Sequence, residues 1–183
     1  MKKYFKHLKV ITKHKLTVGF YCFKMGLYRQ GFMHDWSKFG LKEFFTSAKY
    51  FQGTSSPIDA EKKALGYSYA WQNHHNKNPH HWEYWVDFKN GQAYGVKIPF
   101  KYVLEMVADY IGAGKIYGGK NWTQHTPLQY HLKTRENRVY HQETDVFLLL
   151  LFGLIDEYGL KKAMKNIRRN KKLYKKQYEK GEF

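Results

Sequence analysis

The amino-acid sequence predicts an all-α protein, a single-domain bundle of five or six helices. Its 183 residues match the usual size of one domain, and 43% of them are hydrophobic, which is enough to form a core. Apolar residues recur at steps of three and four along most of the chain, whereas the alternation typical of strands is nearly absent. The single cysteine, Cys22, excludes a disulfide framework and a cysteine-based zinc finger.

The first four helical segments are predicted from apolar spacing and from start signals. We expect them at about 4–29, 32–36, 38–51 and 57–75. In the first segment, Ile11 and Val18 belong to one apolar face. Ser37 is the expected cap of the third segment. Ser56 followed by Pro57 is a strong start signal for the fourth, because a serine caps and a proline suits the first turn.

The second half of the chain contains two further predicted helices. Pro99 opens one that ends at about residue 117. The last begins near Thr144, is interrupted at Gly159 and continues into the C-terminal tail. Two stretches are expected to be connections without regular structure, an aromatic-rich one at 76–98 and a polar one at 118–140.

The charge of the chain favours anionic partners. Thirty-two lysines and arginines oppose 15 acidic residues, which gives a formal net charge of +17. Ten of the basic residues lie in the last 23 residues, so we divide the chain into a helical domain at 1–160 and a basic helical tail at 161–183. Such a balance suits phosphorylated small molecules, nucleic acid or an anionic membrane surface. The tail is expected to be either a solvated face or a contact for nucleic acid, and the oligomeric state is left open.

A membrane-spanning segment is not predicted. The longest apolar run, Val146 to Ile155, is half of the roughly 20 residues that a spanning helix needs. Lysines and histidines interrupt the stretch after Met1, so an apolar signal-peptide region is missing as well. We therefore expect a cytoplasmic protein.

Several of the ten histidines lie where they are able to bind a metal ion. His14 lies within the apolar face of the first helix, where it is either a core histidine bonded to a carbonyl or a ligand. Asp109 lies in the middle of an apolar helix, with Glu105 one turn before it on the same face. A buried carboxylate needs a partner, which is either a basic side chain or a cation.

The dipeptide His34-Asp35 is the third candidate for chemistry. Its two side chains can share one ion, or bind two neighbouring ions, if they lie at a helix terminus, because neighbouring side chains diverge within a helix. Imidazole with carboxylate suits Mn, Fe, Co, Ni or Zn. Lys38 follows at a spacing that would place its ammonium against a phosphate oxygen, or it is an ordinary surface lysine. A further cluster of four histidines is either a second group of ligands or a solvated loop: His74, His75, His80 and His81.

These residues together resemble the HD superfamily of metal-dependent phosphohydrolases. The similar positions are an upstream helical histidine, a His-Asp pair, a histidine cluster and a later helical aspartate, here His14, His34, Asp35, the four clustered histidines and Asp109. The string from His34 to Lys38 is similar to the His-Asp-x-Gly-Lys of the HD-GYP branch, with Ser37 in place of glycine. The chain lacks the Gly-Tyr-Pro segment, so the resemblance does not imply cleavage of cyclic di-GMP.

The chain also resembles an uncharacterised family of small proteins of Firmicutes and their phages, over about residues 10–155. The three similar strings are Gly31-Phe-Met-His-Asp-Trp-Ser-Lys-Phe, Tyr69-Ala-Trp-x-x-His-His and His80-His-Trp-Glu-Tyr-Trp. This second resemblance implies no substrate.

The HD resemblance implies an HD-domain-like helical fold, a metal site and a reaction. One or two divalent transition-metal ions (Mn, Fe, Co, Ni or Zn) would be held by His14, His34, Asp35, His74, His80 and Asp109. Asp35 would bridge two ions, and a water activated there would attack a phosphorus atom. Lys38 would hold the phosphate, and the histidine cluster, with His74 and His80 as the favoured members of their pairs, would supply ligands or protonate the leaving oxygen.

The resulting hypothesis is a phosphohydrolase that acts on a nucleotide or another phosphate ester. The alternatives are a nucleic-acid-binding protein with structural histidines and a di-iron oxygenase on the same scaffold. For five nearby residues, a structural role and a functional role both stay open. They are the acids Glu83 and Asp87 and the aromatics Trp82, Tyr84 and Trp85. Three histidines in polar segments are not assigned: His125, His131 and His141.

Overall fold

A computed structural model describes residues 1–53 and 55–183, and it confirms the all-α fold. Helices account for 74% of the chain, and the described residues form a single domain with nine α-helices and one two-stranded sheet. The predicted count of five or six helices is wrong because short turns divide segments that we expected to be continuous, and because one connection contains a further helix. The helices are α1 Lys2–Lys24, α2 Tyr28–Met33, α3 Leu41–Tyr50, α4 Pro57–Leu65, α5 Tyr69–His75, α6 Phe100–Gly118, α7 Thr126–Thr134, α8 Gln142–Arg169 and α9 Lys171–Lys180.

The core lies between α1, α6 and α8. Val18 of α1, Val107 and Ile111 of α6, and Leu151 and Ile155 of α8 are fully buried in one apolar cluster. Full burial of a side chain of this size contributes about 1.5–3 kcal/mol. Three helices held together in this way form a rigid frame, and two of them carry residues predicted to bind metal.

Helix ends agree with some of the sequence signals and not with others. Ser56 caps α4 as predicted, because its hydroxyl accepts a hydrogen bond from the backbone N–H of Ile58 at 3.3 Å. Ser37 does not cap α3, which begins at Leu41 after Gly40. The prediction was wrong because Ser37 lies in a short 3₁₀ turn, Trp36–Phe39, and its hydroxyl faces the histidine cluster.

Both stretches predicted as connections contain regular structure. Residues 76–98 contain a 3₁₀ turn at Trp82–Trp85 and a hairpin of β1 (Val86–Lys89) and β2 (Gln92–Gly95). The hairpin turns at Asn90-Gly91, where both residues have positive φ, a pair that favours tight hairpins. Residues 118–140 contain α7, which opens with a proline at its first turn, so the prediction of an irregular segment was wrong there.

The basic C-terminal tail packs onto the same core as the rest of the chain. Helix α8 is interrupted at Gly159, with a φ of 75°, as predicted. Beyond it, Met164, Ile167 and Tyr178 are buried, and the Tyr178 hydroxyl donates a hydrogen bond to the carbonyl of Ile98 at 2.7 Å. The lysines of the tail therefore form the outer side of two helices whose inner side belongs to the domain. None of the helices in the described residues combines the length and the apolarity needed to cross a bilayer.

Candidate metal centre

Close packing of α1 against α6 brings His14 and Asp109 together. A Cβ atom added to Gly112 would lie 2.4 Å from the Val18 side chain, so a glycine is needed for the two helices to pack this closely. His14 lies one turn before Val18, and Asp109 lies three residues before Gly112. The His14 Nε2 and Asp109 Oδ1 atoms are 3.0 Å apart as a result.

The end of α2 turns His34 and Asp35 toward the same point. Helix α2 ends at Met33, His34 has an extended ψ of 128°, and Asp35 has a left-handed φ of 53°. A positive φ is uncommon outside glycine, although aspartate tolerates it better than most residues, and it is found at functional sites. Both side chains are buried, each with 1% exposure. The expectation that the pair lies at a helix terminus is confirmed.

The first cluster consists of His14, His34, Asp35 and Asp109. His14 Nε2 lies 3.0 Å from Asp35 Oδ2 and 3.3 Å from His34 Nε2. His34 Nε2 lies 3.4 Å from Asp35 Oδ2 and 3.5 Å from Asp109 Oδ1. Atoms bound at about 2.1 Å to one tetrahedral ion are about 3.4 Å apart, so these spacings suit a transition-metal ion.

The second cluster consists of Asp35, His74, His80 and His81. His74 Nε2 and His80 Nε2 each lie 3.3 Å from Asp35 Oδ1, and His81 Nε2 lies 2.9 Å from His74 Nε2. Asn78 holds the turn between the histidine pairs, since its amide donates to the His74 carbonyl at 2.7 Å. The Asp35 carboxylate therefore points one oxygen at each cluster.

Two glutamates orient three of the imidazoles through their Nδ1 atoms. Glu105 Oε1 lies 3.0 Å from His34 Nδ1 and 3.1 Å from His80 Nδ1, and Glu43 Oε1 lies 2.7 Å from His74 Nδ1. With Nδ1–H donated to a carboxylate, the lone pair of Nε2 is free and points into a cluster. Carboxylate–histidine pairs of this kind support the ligands of protein metal sites.

The charges of the centre shift its pKa values in opposite directions. Burial opposes ionisation of Asp35, but His34, Lys38 and His74 outweigh it and hold the pKa of Asp35 well below its usual range. Burial also lowers the pKa of His34, yet the carboxylates of Asp35, Asp109 and Glu105 raise it well above 6.5. A cation bound between these groups would displace protons from the imidazoles.

Lys38 lies against the carboxylate that joins the two clusters. Its Nζ donates a hydrogen bond to Asp35 Oδ2 at 2.5 Å. Burial alone would lower the pKa of Lys38, but the Asp35 carboxylate outweighs burial and raises the pKa above its usual value. A quarter of the side chain (24%) is exposed, so the ammonium lies at the boundary between the clusters and the surface.

The donor set fits one or two transition-metal ions. Imidazole nitrogens and carboxylate oxygens in this mixture suit Mn, Fe, Co, Ni or Zn. Two buried atoms at the centre, Asp35 Oδ1 and His80 Nε2, make no hydrogen bond with the part of the chain that the structure describes. Unpaired buried polar atoms are rare, because each costs about 1–3 kcal/mol. A cation between the clusters would satisfy both.

Every residue that we predicted to bind metal lies in one of the two clusters. The expectation that one histidine of each pair faces the centre is confirmed for His74, since His75 turns away to Gln72 at 3.2 Å. It is wrong for the other pair, because His80 and His81 follow a turn rather than a helix and both reach the second cluster.

Sequence reasoning missed the two supporting glutamates. Glu105 was noted one turn before Asp109, and that spacing was the available signal for its role. Glu43 has no such signal, since it meets His74 only through the packing of α3 against α5.

The remaining candidates lie outside the two clusters. Asp87 accepts hydrogen bonds from the backbone N–H of Phe88 and from the Tyr94 hydroxyl in the hairpin. Trp82 and Trp85 pack against the core, whereas Tyr84 is 43% exposed and Glu83 is partly buried. The three unassigned histidines lie in other places: His125 pairs with Asp156, His131 with Asp145, and His141 caps α8.

A small cavity of about 50 Å³ adjoins the clusters. His14, Lys38, His74 and Tyr117 are among the side chains that line it. A cavity of this volume holds a few water molecules. It therefore has room for small molecules of the size of water beside the candidate ligands, and a substrate would have to approach from outside.

Comparison with known proteins identifies one family. No curated protein and no solved structure matches the chain. Residues 3–152 match a family described as a family of unknown function, DUF5662. This span includes all the residues of both clusters and the two supporting glutamates, and it covers most of the 183 residues. The chain is therefore a member of the DUF5662 family.

Proposed function

We propose that the protein is a metal-dependent phosphohydrolase of the HD type that acts on a nucleotide or another phosphate ester. Its two clusters would hold two divalent transition-metal ions, the first with His14, His34, Asp35 and Asp109 and the second with Asp35, His74, His80 and His81. The ions would supply Lewis-acid activation of a phosphoryl oxygen and a nucleophilic water at neutral pH.

One observation carries the proposal: the Asp35 carboxylate directs Oδ2 into the first cluster and Oδ1 into the second. A carboxylate that serves two groups of histidine nitrogens has the form of a bridging ligand between neighbouring ions. Paired ions are suited to displacement at phosphorus because they stabilise both the attacking and the leaving oxygen. A structural site for one ion would not need the second cluster.

Lys38 and Asp109 mark the side on which a phosphate would enter. Lys38 is 24% exposed and the Asp109 side chain 16%, whereas His34, Asp35, His74 and His80 are almost fully buried. The Lys38 ammonium would contact a phosphate oxygen as it does the Asp35 carboxylate. His80 is buried with Nδ1 against Glu105, and we assign it to metal binding rather than to protonation of the leaving group.

The proposal is tested by metal analysis followed by a hydrolysis screen. We expect about two ions per chain in protein purified without chelator. Protein loaded with Mn, Co, Ni or Fe is then assayed with p-nitrophenyl phosphate, bis-p-nitrophenyl phosphate and nucleotides. Asp35→Asn retains the shape of the side chain but should lose both the metal and the hydrolysis.

The matched control is Asp156→Asn, which alters a partly buried aspartate paired with His125 outside the centre. It should keep the metal content and the activity of the wild type. Hydrolysis that survives in Asp35→Asn would contradict the proposal. Bound iron with oxygen consumption and no hydrolysis would instead indicate the di-iron oxygenase, and salt-sensitive nucleic-acid binding that survives Asp35→Asn would indicate the binding protein.

A further inference from the structure

The first 50 residues expose an unusual number of large apolar side chains. On α1, α2 and the segment up to the start of α3, six phenylalanine, leucine and tryptophan side chains are between 53% and 75% exposed: Phe5, Leu16, Phe20, Phe32, Trp36 and Leu41. We call this set the N-terminal apolar face. Isolated apolar residues on a surface are ordinary, but a concentration of them marks an interaction site.

The three α1 residues of this face lie on the side of the helix opposite the core. Phe5, Leu16 and Phe20 are separated by 11 and 4 residues, which places them on one side, while His14 and Val18 face inward. These three line a shallow groove on the outer surface of α1 together with Lys9 and Lys13. The apolar part of the face is therefore bordered by lysines of the same helix.

Ring contacts join this helix to the next part of the face. The rings of Phe32 and Trp36 stack with their centroids 6.3 Å apart. Lys15 of α1 donates a hydrogen bond to the carbonyl of Phe32 at 2.6 Å, and its ammonium lies 4.8 Å from the centre of the Trp36 ring. Phe32 and Trp36 are thus held against α1 through Lys15.

The charge around this face is of one sign. Residues 1–50 contain eleven lysines and arginines and two acidic residues. Both acids, Asp35 and Glu43, are buried in the metal centre with 1% and 2% exposure. The surface formed by the first 50 residues therefore presents exposed cations, among them Lys9 and Lys13, without an exposed carboxylate.

We propose that the N-terminal apolar face docks on an anionic lipid surface. Lysines attract anionic headgroups, while phenylalanine, leucine and tryptophan side chains insert at the boundary between headgroups and acyl chains. A second copy of the chain would bring like charges together without carboxylates to pair them. A nucleic acid would satisfy the lysines and stack on the rings, but it offers little to the aliphatic Leu16 and Leu41. This inference does not rest on the metal centre.

The test is cosedimentation of the full-length protein with vesicles. The protein should bind vesicles that contain phosphatidylserine and phosphatidylcholine, bind phosphatidylcholine vesicles weakly, and dissociate as salt is added. The double variant Lys9→Glu with Lys13→Glu should bind the anionic vesicles at least about tenfold more weakly. Leu16→Ser with Phe20→Ser, which keeps the charge, should also reduce binding by about tenfold.

A matched control separates the face from the net charge of the chain. Lys172→Glu with Lys176→Glu changes the same charge at the same spacing on the exposed side of α9, and it should bind nearly as well as the wild type. Circular dichroism verifies that each variant is folded. Equal loss in both charge variants, or equal binding to neutral vesicles, would overturn the proposal.

The other occupants of the face would give different results. Binding of single-stranded DNA that the variants of α1 weaken, with no binding to vesicles, would identify nucleic acid as the partner and overturn the proposal. A dimer in solution that Leu16→Ser with Phe20→Ser dissociates, again without vesicle binding, would identify a second copy and overturn it as well.

Discussion

Two buried regions of the molecule contain histidine paired with carboxylate, and they differ in what surrounds the pair. In the candidate metal centre, which is proposed above to hold a cation, four carboxylates meet five histidines and Lys38. In the His131 cluster, His131 Nε2 lies 2.9 Å from Asp145 Oδ1, and the Arg135 guanidinium pairs with the same carboxylate, with its Nε 3.0 Å from Oδ2. A guanidinium already balances that carboxylate, whereas the carboxylates of the metal centre outnumber its lysine.

A histidine close to a carboxylate is therefore not by itself an indication of a metal site. Burial lowers the pKa of His131 despite the single carboxylate of Asp145, while several carboxylates raise the pKa of His34. The lone pairs of the metal centre also converge from four separate segments, and those of the His131 cluster do not. Excess negative charge and convergence are the two properties that favour a cation.

Equivalent substitutions in the two regions should differ most in their effect on metal content and hydrolysis. Asp109→Asn should remove the ion of the first cluster and lower hydrolysis by about a hundredfold or more, since a catalytic ion contributes several kcal/mol. Asp145→Asn breaks a similar pair and should leave the metal content unchanged. Elemental analysis and steady-state kinetics measure both. Equal loss of metal in the two variants would contradict the distinction.

Removal of the metal should have the next largest effect. At a free metal concentration near a thousand times Kd, binding stabilises the folded chain by about 4 kcal/mol, which corresponds to about 10 °C in Tm for this size. Calorimetry with and without chelator checks this value. Asp145→Asn should melt at a lower temperature but show the same difference between the two conditions. If the Tm of the wild type is the same with and without chelator, a tight metal site is excluded.

The supporting glutamate should have a smaller effect than a ligand. Glu105→Gln keeps the shape of the side chain but removes the charge behind His34 and His80, and such changes weaken metal binding by about 10–100-fold. The control is Glu61→Gln, because Glu61 is equally buried but accepts its hydrogen bonds from Ser68 and the start of α5. Titration with Co²⁺ followed by absorption distinguishes the two. Equal weakening would assign Glu105 a general role in folding.

The smallest expected effect concerns a buried histidine without a carboxylate. His7 packs against Phe44 and Phe51, and burial, together with Lys38 and Lys3, lowers its pKa from 6.5 to about 4. As the pH falls below 6.5, the unfolded chain takes up a proton that the folded chain takes up only near pH 4. The free energy of unfolding should therefore fall by about 1–2 kcal/mol between pH 7 and pH 5 because of this residue.

His7→Phe removes the titrating group while keeping an aromatic ring in its place. Denaturation by urea at pH 7 and pH 5 compares it with the wild type, and the variant should lose less stability between the two. An equal loss would show that other groups account for the pH dependence.

Much of the site was predictable because separate motifs pointed to the same chemistry. His14 and Asp109 lie at polar positions on apolar helix faces, and His34-Asp35 falls where a helix has to end. What the spacing did not predict was orientation after a turn, so His80 alone was favoured in a pair of which both members reach the second cluster. Glu43 was missed because its partner comes from a different helix, and local sequence has no signal for such a contact.

The helical fold, the start of α4 at Ser56 and the interruption of α8 at Gly159 were predictable from the sequence, because periodicity, caps and glycine act within a few residues. The imidazole and carboxylate groups of the two clusters were predictable as well. That His14 Nε2 lies 3.0 Å from a carboxylate oxygen of both Asp35 and Asp109 follows from tertiary packing alone, because the approach of α1 to α6 depends on their contact at Gly112. Tertiary packing also places the apolar side of the basic tail in the core, because α8 and α9 pack inward.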